Sequence, residues 1–336
     1  MTDLLAAAHQ VAASLTAGAA SVDAGSVRRA DLDSLGAAGL LGASLAPPAV
    51  FRAVQEVLAG ADASTWFVQV QHHSPVRLLA DAPALHGVRA DLVAGRRVAG
   101  IAFSHLRRWP GRPVEVTRVD GGWQYDGLVP WYTGWGLNDV LALGGVTADG
   151  EVVFGLVPAR PSEALRAGPP MQLAAMTAAS TVQLHLAGLV VADDQVMTRL
   201  PIEQWLSGDA RTSVNANPAA LGVTQAATDR LGALGEQRGL GEARDLALLL
   251  QSRLADVRAK AYALADDPGA DLDEALSLRV AAQRLCLDAT GALVAAGAGG
   301  SMSLADPAQR WAREALFLVV QAQTLAGRRA VLRTWI

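Results

Sequence analysis

Residues 121–145 read GGWQYDGLVPWYTGWGLNDVLALGG, and the reading of this stretch decides the fold. A strand over 123–126 leads to a turn at Gly127 and then to Pro130-Trp131-Tyr132-Thr133-Gly134-Trp135-Gly136. A second apolar strand covers 140–143. Tryptophan offers a flat apolar face and threonine a small hydroxyl, while glycine lets backbone amides approach a ligand closely. Such a segment suits a large planar cofactor. The same spacing also suits an ordinary hairpin with buried aromatics.

Outward from this stretch, the period-two pattern continues on both sides. Residues 98–103 are apolar and 114–119 (VEVTRV) alternate. Further strands are expected at 140–146, 152–157, 171–176 and 181–191, with Asp149-Gly150 and Pro169-Pro170 as turn pairs. Six or seven short strands at this spacing predict a compact antiparallel barrel or sandwich rather than a parallel α/β sheet. The loop 104–112 carries Arg107, Arg108 and Arg112. These are candidates for a phosphate or carboxylate, or else solvated loop charges.

Both flanks read as helices. Before residue 98 they are expected at 4–15, 31–41, 49–59 and 66–70, with Pro47-Pro48 as a break. The last of these runs into Gln71-His72-His73-Ser74-Pro75, a histidine pair beside an expected helix end. His72 and His73 are candidates for acid–base or ligand roles, against one packed and one solvated ring. After Trp205 helices are expected at 218–234, 241–265 and 273–296, and a last one starts at Asp306-Pro307, a cap and a first-turn proline. Four helices with short connections imply a bundle. The expected order is an N-terminal helical domain (1–97), a middle β domain (98–205) and a C-terminal helical bundle (206–336), an α+β organisation.

Composition narrows the functional classes. The chain has 336 residues, 51% hydrophobic, enough for a substantial core and two or three domains. Its net charge of -4, with 18% charged residues and no basic run, does not suggest a nucleic-acid binder. The single Cys286 excludes an intramolecular disulfide and a multi-cysteine metal site, so no metal is expected. Lys260 is the only lysine, which removes most Schiff-base candidates. The N-terminus has no basic region before an apolar core, and no apolar run is read as long enough to span a membrane. A cytoplasmic location is the expectation.

In domain order and in three local anchors the chain resembles the acyl-CoA dehydrogenase superfamily, which includes flavin-dependent monooxygenases. Pro130-Trp131-Tyr132-Thr133-Gly134 resembles the family's Trp-Ile-Thr-Asn/Ser segment. Residues 181–197, TVQLHLAGLVVADDQVM, look like the strand that closes the family's β domain. The glycine turn 297–300, followed by PAQRWAREA at 307–315, resembles the family's C-terminal glycine turn and "RD" helix.

The resemblance implies a flavin: FAD, with FMN or a lost cofactor as alternatives. It places Trp131 beside the isoalloxazine, Thr133 and Gly134 near the flavin N5 region, and Ser104 at the pyrimidine edge. Gly299 and Gly300 would approach the adenine-diphosphate part, often from a neighbouring subunit, which implies a homodimer or homotetramer. A small-molecule or acyl-thioester substrate and a flavin reductase or electron-transfer partner are implied too. The chain departs from the family at Ala322, where the usual catalytic glutamate is expected, and near Thr212, the alternative glutamate position. It also lacks the family's Arg-x-x-Phe-Gly element around 237–241 and its Thr-Glu-Pro-Gly-Ala-Gly-Ser-Asp loop after Ser104. Three readings follow: a flavin monooxygenase or oxidase, with His72 and His73 on the substrate side; a dehydrogenase with a relocated base, a histidine or Glu203; and a flavin-free binding subunit or non-redox enzyme.

Overall fold

The computed structural model describes residues 4–334. The N-terminal part comprises α1 (Leu4–Ala24), α2 (Arg29–Ala37), α3 (Pro48–Ala61), α4 (Ala63–Leu78) and α5 (His86–Val93). Local chemistry sets their starts. Pro48 opens α3, and Asp62 caps α4 by accepting from Ser64 N (3.1 Å) and Thr65 Oγ1 (2.6 Å). α4 does not end near residue 70. It runs through the polar stretch and past Pro75, so the histidine pair sits inside the helix rather than at its end.

Eight strands form one sheet: β1 (Ala99–Ala102), β2 (Val114–Val119), β3 (Gly122–Tyr132), β4 (Val140–Val146), β5 (Glu151–Pro158), β6 (Leu165–Ala167), β7 (Val182–Ala192) and β8 (Val196–Pro201). The order is β6-β7-β3-β2-β4-β5-β8, with β1 beside β4. Pairings are antiparallel except β1–β4 and a single residue pair of β2–β4. Period two is clear on β4: Leu141 and Leu143 enter one apolar cluster, Val140, Ala142 and Val146 the other. The sheet curls so that β5 meets β7 across the interior. Tyr125 Oη donates to Val153 O (3.1 Å), and Gly155 makes room for Val191.

Two expectations need correction here. The stretch 123–132 is one strand, not a strand and a turn; Gly127, at φ 126°, marks an irregularity in its pairing with β7. A side chain there would sit 2.1 Å from Pro113 O, so glycine is required. Residues 171–176 form no strand. Ala175, Met176, Ala178 and Ala179 pack into the helical core, and Val27 N donates to Ala178 O (3.0 Å).

The C-terminal part holds α6 (Ile202–Ser213), α7 (Pro218–Arg238), α8 (Gly241–Asp266), α9 (Leu272–Gly297), α10 (Pro307–Val320) and α11 (Leu325–Arg333). It therefore adds α6 and α11 to the four helices expected, and the boundary drawn at 205 falls inside α6. Asp306 caps α10 through Ala308 N (2.9 Å), with Pro307 in the first turn. The segment Leu272–Met302 is, by length and composition, apolar enough to cross a membrane, contrary to the sequence reading. Its alanines and leucines raise its hydropathy because α9 is a core helix of the bundle: Ala282, Leu285, Cys286, Ala289 and Leu293 are buried against neighbouring helices. The N- and C-terminal helices share that one apolar core.

Candidate functional site

A cleft of about 1130 Å³ lies where the ends of β1 and β3 meet α4, α6 and the α10–α11 junction. β3 delivers Pro130 and Trp131 to its wall, and Thr133 follows just beyond the strand. Ser104 comes from the turn after β1. Trp131 is 50% exposed, a large apolar face left open. Thr133 is buried, with its Oγ1 3.2 Å from Thr181 Oγ1, and both line the cleft. An aromatic face beside two hydroxyls and the half-buried Ser104 fits a planar, heteroatom-edged ring system such as a flavin.

The structure thus brings Ser104, Trp131 and Thr133, three of the residues that the resemblance assigns to a cofactor, to the lining of one cleft. Gly134 stands behind it. Its N–H donates to Ala179 O (2.9 Å), its φ is 84°, and a side chain there would lie 2.5 Å from Asn138 Nδ2. It therefore shapes the turn and spends its amide on the chain itself. Gly299 and Gly300 belong to a turn (Ala298–Met302) away from this cleft, where a side chain would meet nothing within 4 Å.

His72 and His73 do not reach the cleft. His72 is fully buried and its Nδ1 accepts from Ala99 N (3.0 Å). His73 Nε2 lies 2.9 Å from Gln69 Oε1 in a buried cluster where Gln69 and Trp66 both donate to Gln55 Oε1 (2.6 and 3.0 Å). Burial lowers the His72 pKa to about 4 and that of His73 well below the usual range, so both rings are neutral. Both rings are buried and neither lines the cleft: His72 ties α4 to β1 and His73 joins the α3–α4 cluster, so the structure does not bring the pair to the side where substrate catalysis was expected.

Two residues that sequence reasoning missed hold the walls. Asn138 Nδ2 donates to Tyr132 Oη (2.9 Å) and to Thr133 O (3.1 Å), fixing the backbone between Trp131 and Gly134. Arg279, buried on α9, donates to Ser213 O (2.8 Å) and Gln321 O (2.8 Å), joining the end of α6 to the α10–α11 junction. Its only advance signal was a lone arginine amid apolar residues. Burial, with Arg107 nearby, lowers its pKa to about 10, which leaves it charged at neutral pH.

Ala322, at the position the resemblance gives to the family's glutamate, does line the cleft. Among the described lining residues the one carboxylate is Asp209, and both its oxygens are held by Arg107 at 2.7 Å. Glu203 is not among them, and Thr212 is exposed on α6.

No protein-family model matches the sequence, and no curated protein matches it. Solved structures match along the whole chain. Butyryl-CoA dehydrogenase from Megasphaera elsdenii superposes with a TM-score of 0.82 at 14% identity, covering 99% of this chain and 97% of that one. Dibenzothiophene monooxygenase (TdsC) from Paenibacillus sp. A11-2 gives 0.78 at 17%, covering 99% and 97%, and has been solved with FMN and with FMN and indole. KijD3, in complex with FMN and dTDP-3-amino-2,3,6-trideoxy-4-keto-3-methyl-D-glucose, gives 0.74 at 20%, covering 99% and 92%. The chain has the acyl-CoA dehydrogenase fold.

Proposed function

We propose that the cleft holds a flavin and that the chain is a flavin-dependent oxidoreductase of the monooxygenase or oxidase type. The observation that carries this reading is the pairing of an open aromatic and hydroxyl wall with the lack of a free carboxylate among the described lining residues. A bound flavin supplies electron transfer and, when reduced, reaction with oxygen. The chain's own residues then bind, orient and exclude water. Trp131 offers a stacking face, while Thr133 and Ser104 offer hydroxyls to the ring's polar edge. Phe67, Phe103 and Phe317 add apolar lining that favours exclusion of water. Proton removal by a carboxylate, which acyl-CoA dehydrogenation needs, finds no free group here. Likeness to FMN-bound structures supports the reading. Either FMN or FAD would suit this wall. Gly299 and Gly300 fit a role toward a neighbouring copy's cofactor, and a flavin reductase would supply reduced flavin.

Titration of the purified chain with FMN and with FAD tests it. Saturable fluorescence quenching is expected, weakened about fivefold by Thr133→Ala, the loss of one neutral hydrogen bond. Failure of both flavins to saturate would remove the redox reading.

A further inference from the structure

The cleft is positively charged in a chain that is not. Net charge is -4 overall, yet the lining carries Arg107, Arg108, Arg313 and Arg328 against the single Asp209. Two of the four are neutralised at home. Arg107 is held by Asp209, and Arg313 is paired with Asp23 on α1. Arg108 and Arg328 are exposed, line the cleft and make no ion pair among the described residues. They arrive from separate elements, Arg108 from the turn Ser104–Arg108 and Arg328 from the first turns of α11.

The surface that accompanies them is apolar. Leu316, Val320 and Leu325 are each more than half exposed at the α10–α11 junction, and Trp131 is half exposed on the facing strand. Guanidinium groups match carboxylate and phosphate oxygens in a planar, two-point geometry, and a cleft of one sign concentrates ligands of the other. A molecule complementary to this surface has an apolar body and an anionic group.

We infer that Arg108 and Arg328 are the anion-holding residues of this cleft, and that the ligand they hold joins an apolar body to a carboxylate or phosphate. The inference rests on the proposed use of the cleft as a small-molecule site. Its anion has two sources: the phosphate of the flavin itself, or the acidic group of the second ligand.

Two matched pairs of probes separate the sources. Binding of FMN and riboflavin, which differ by the phosphate, is compared by fluorescence with binding of 2-naphthoate and the neutral 2-naphthalenemethanol by calorimetry. Full-length wild type, Arg108→Gln, Arg328→Gln and the double variant are all measured. Wild type is expected to prefer the anionic member of at least one pair by about tenfold, the double variant to lose that preference, and the neutral member to bind unchanged. Loss confined to FMN over riboflavin assigns the arginines to the flavin phosphate. Loss confined to naphthoate assigns them to the second ligand. Rising salt should erode the preference in either case. No anionic preference in wild type, or a preference that survives in the double variant, overturns the inference. If neither flavin binds, the flavin reading falls, while the naphthoate pair still decides the arginines. Among the described residues the substituted side chains make no hydrogen bond or ion pair, so unchanged thermal unfolding of the variants confirms intact folds.

Discussion

Asn138 shows how much one side chain does at the wall of the cleft. It is 6% exposed and its amide nitrogen serves both Tyr132 Oη and Thr133 O. Two glycines admit it. A side chain at Gly100 would lie 2.3 Å from both Asn138 Nδ2 and Tyr132 Oη, and one at Gly134 would lie 2.5 Å from the same nitrogen. Asn138→Ala should therefore cost about 2 kcal/mol in urea unfolding, because the fully buried Tyr132 hydroxyl loses its partner. Flavin affinity should fall with it, through the freed Thr133 backbone. A variant as stable as wild type would show that the amide is not what fixes this turn. Trp131 and Thr133 were legible in the sequence because their residue types announce a flat face and a hydroxyl. Asn138 was not: Leu-Asn-Asp reads as an ordinary polar turn, and only the fold sets β1's Gly100 against it.

Among the elements, α4 was the least legible, and the reason is chemical. A run of Gln, His, His, Ser and Pro looks like a helix end in solvent. Here the run stays helical and its two rings are buried: Ala99 N donates to His72 Nδ1 and His73 Nε2 pairs with Gln69 Oε1, while the other nitrogen of each ring has no partner among the described residues. That arrangement has a pH consequence. His72 and His105 both have pKa values lowered to about 4 by burial, from 6.5, and burial lowers His73 well below 6.5; His105 Nε2 donates to Gly144 O at 2.7 Å. As pH falls through 6.5 the unfolded chain takes up protons that the folded chain refuses, so stability falls until about pH 4. His72 and His105 should each contribute roughly 3 kcal/mol of loss by then. Glu314, held near 7 by burial despite Arg310 at 2.9 Å, acts in the opposite sense between its ordinary 4.5 and 7, since its folded form keeps a proton that the unfolded one releases. Asp62, raised by burial, acts in the same sense as Glu314, and the three histidines outweigh the two carboxyls. Urea midpoints measured from pH 7.5 to 4.5 should fall steadily, and less steeply in His105→Gln. A flat profile would mean that the rings are hydrated.

At the scale of the molecule, domain order was legible but the joining of the ends was not. Periodicity reports which face of a helix is apolar, yet it cannot say that α3 near the start packs on α7 far along the chain. The crossing is close because it is built on glycine. A side chain at Gly222 would lie 2.0 Å from Glu56 O, and one at Gly60 would lie 2.8 Å from Gly222 O. Polar contacts extend the seam: Tyr262 Oη donates to Glu56 (2.6 Å), Arg258 pairs with Glu56 and Arg52 with Asp266. This predicts a reversal of sign. In an open helix interior, glycine to alanine raises stability by up to about 1 kcal/mol through helix propensity. Gly291→Ala on α9, where a side chain meets nothing within 4 Å, should behave so. Gly222→Ala should instead destabilise by about 2 kcal/mol or more, because the obstacle is backbone and the two helices must part. Thermal unfolding of the two variants side by side decides the matter. If both shift the midpoint upward, the N- and C-terminal helices are not locked at this crossing. If they shift in opposite directions and tryptophan fluorescence and circular dichroism still report one transition, then the helical parts at the two ends of the chain unfold together with the sheet between them.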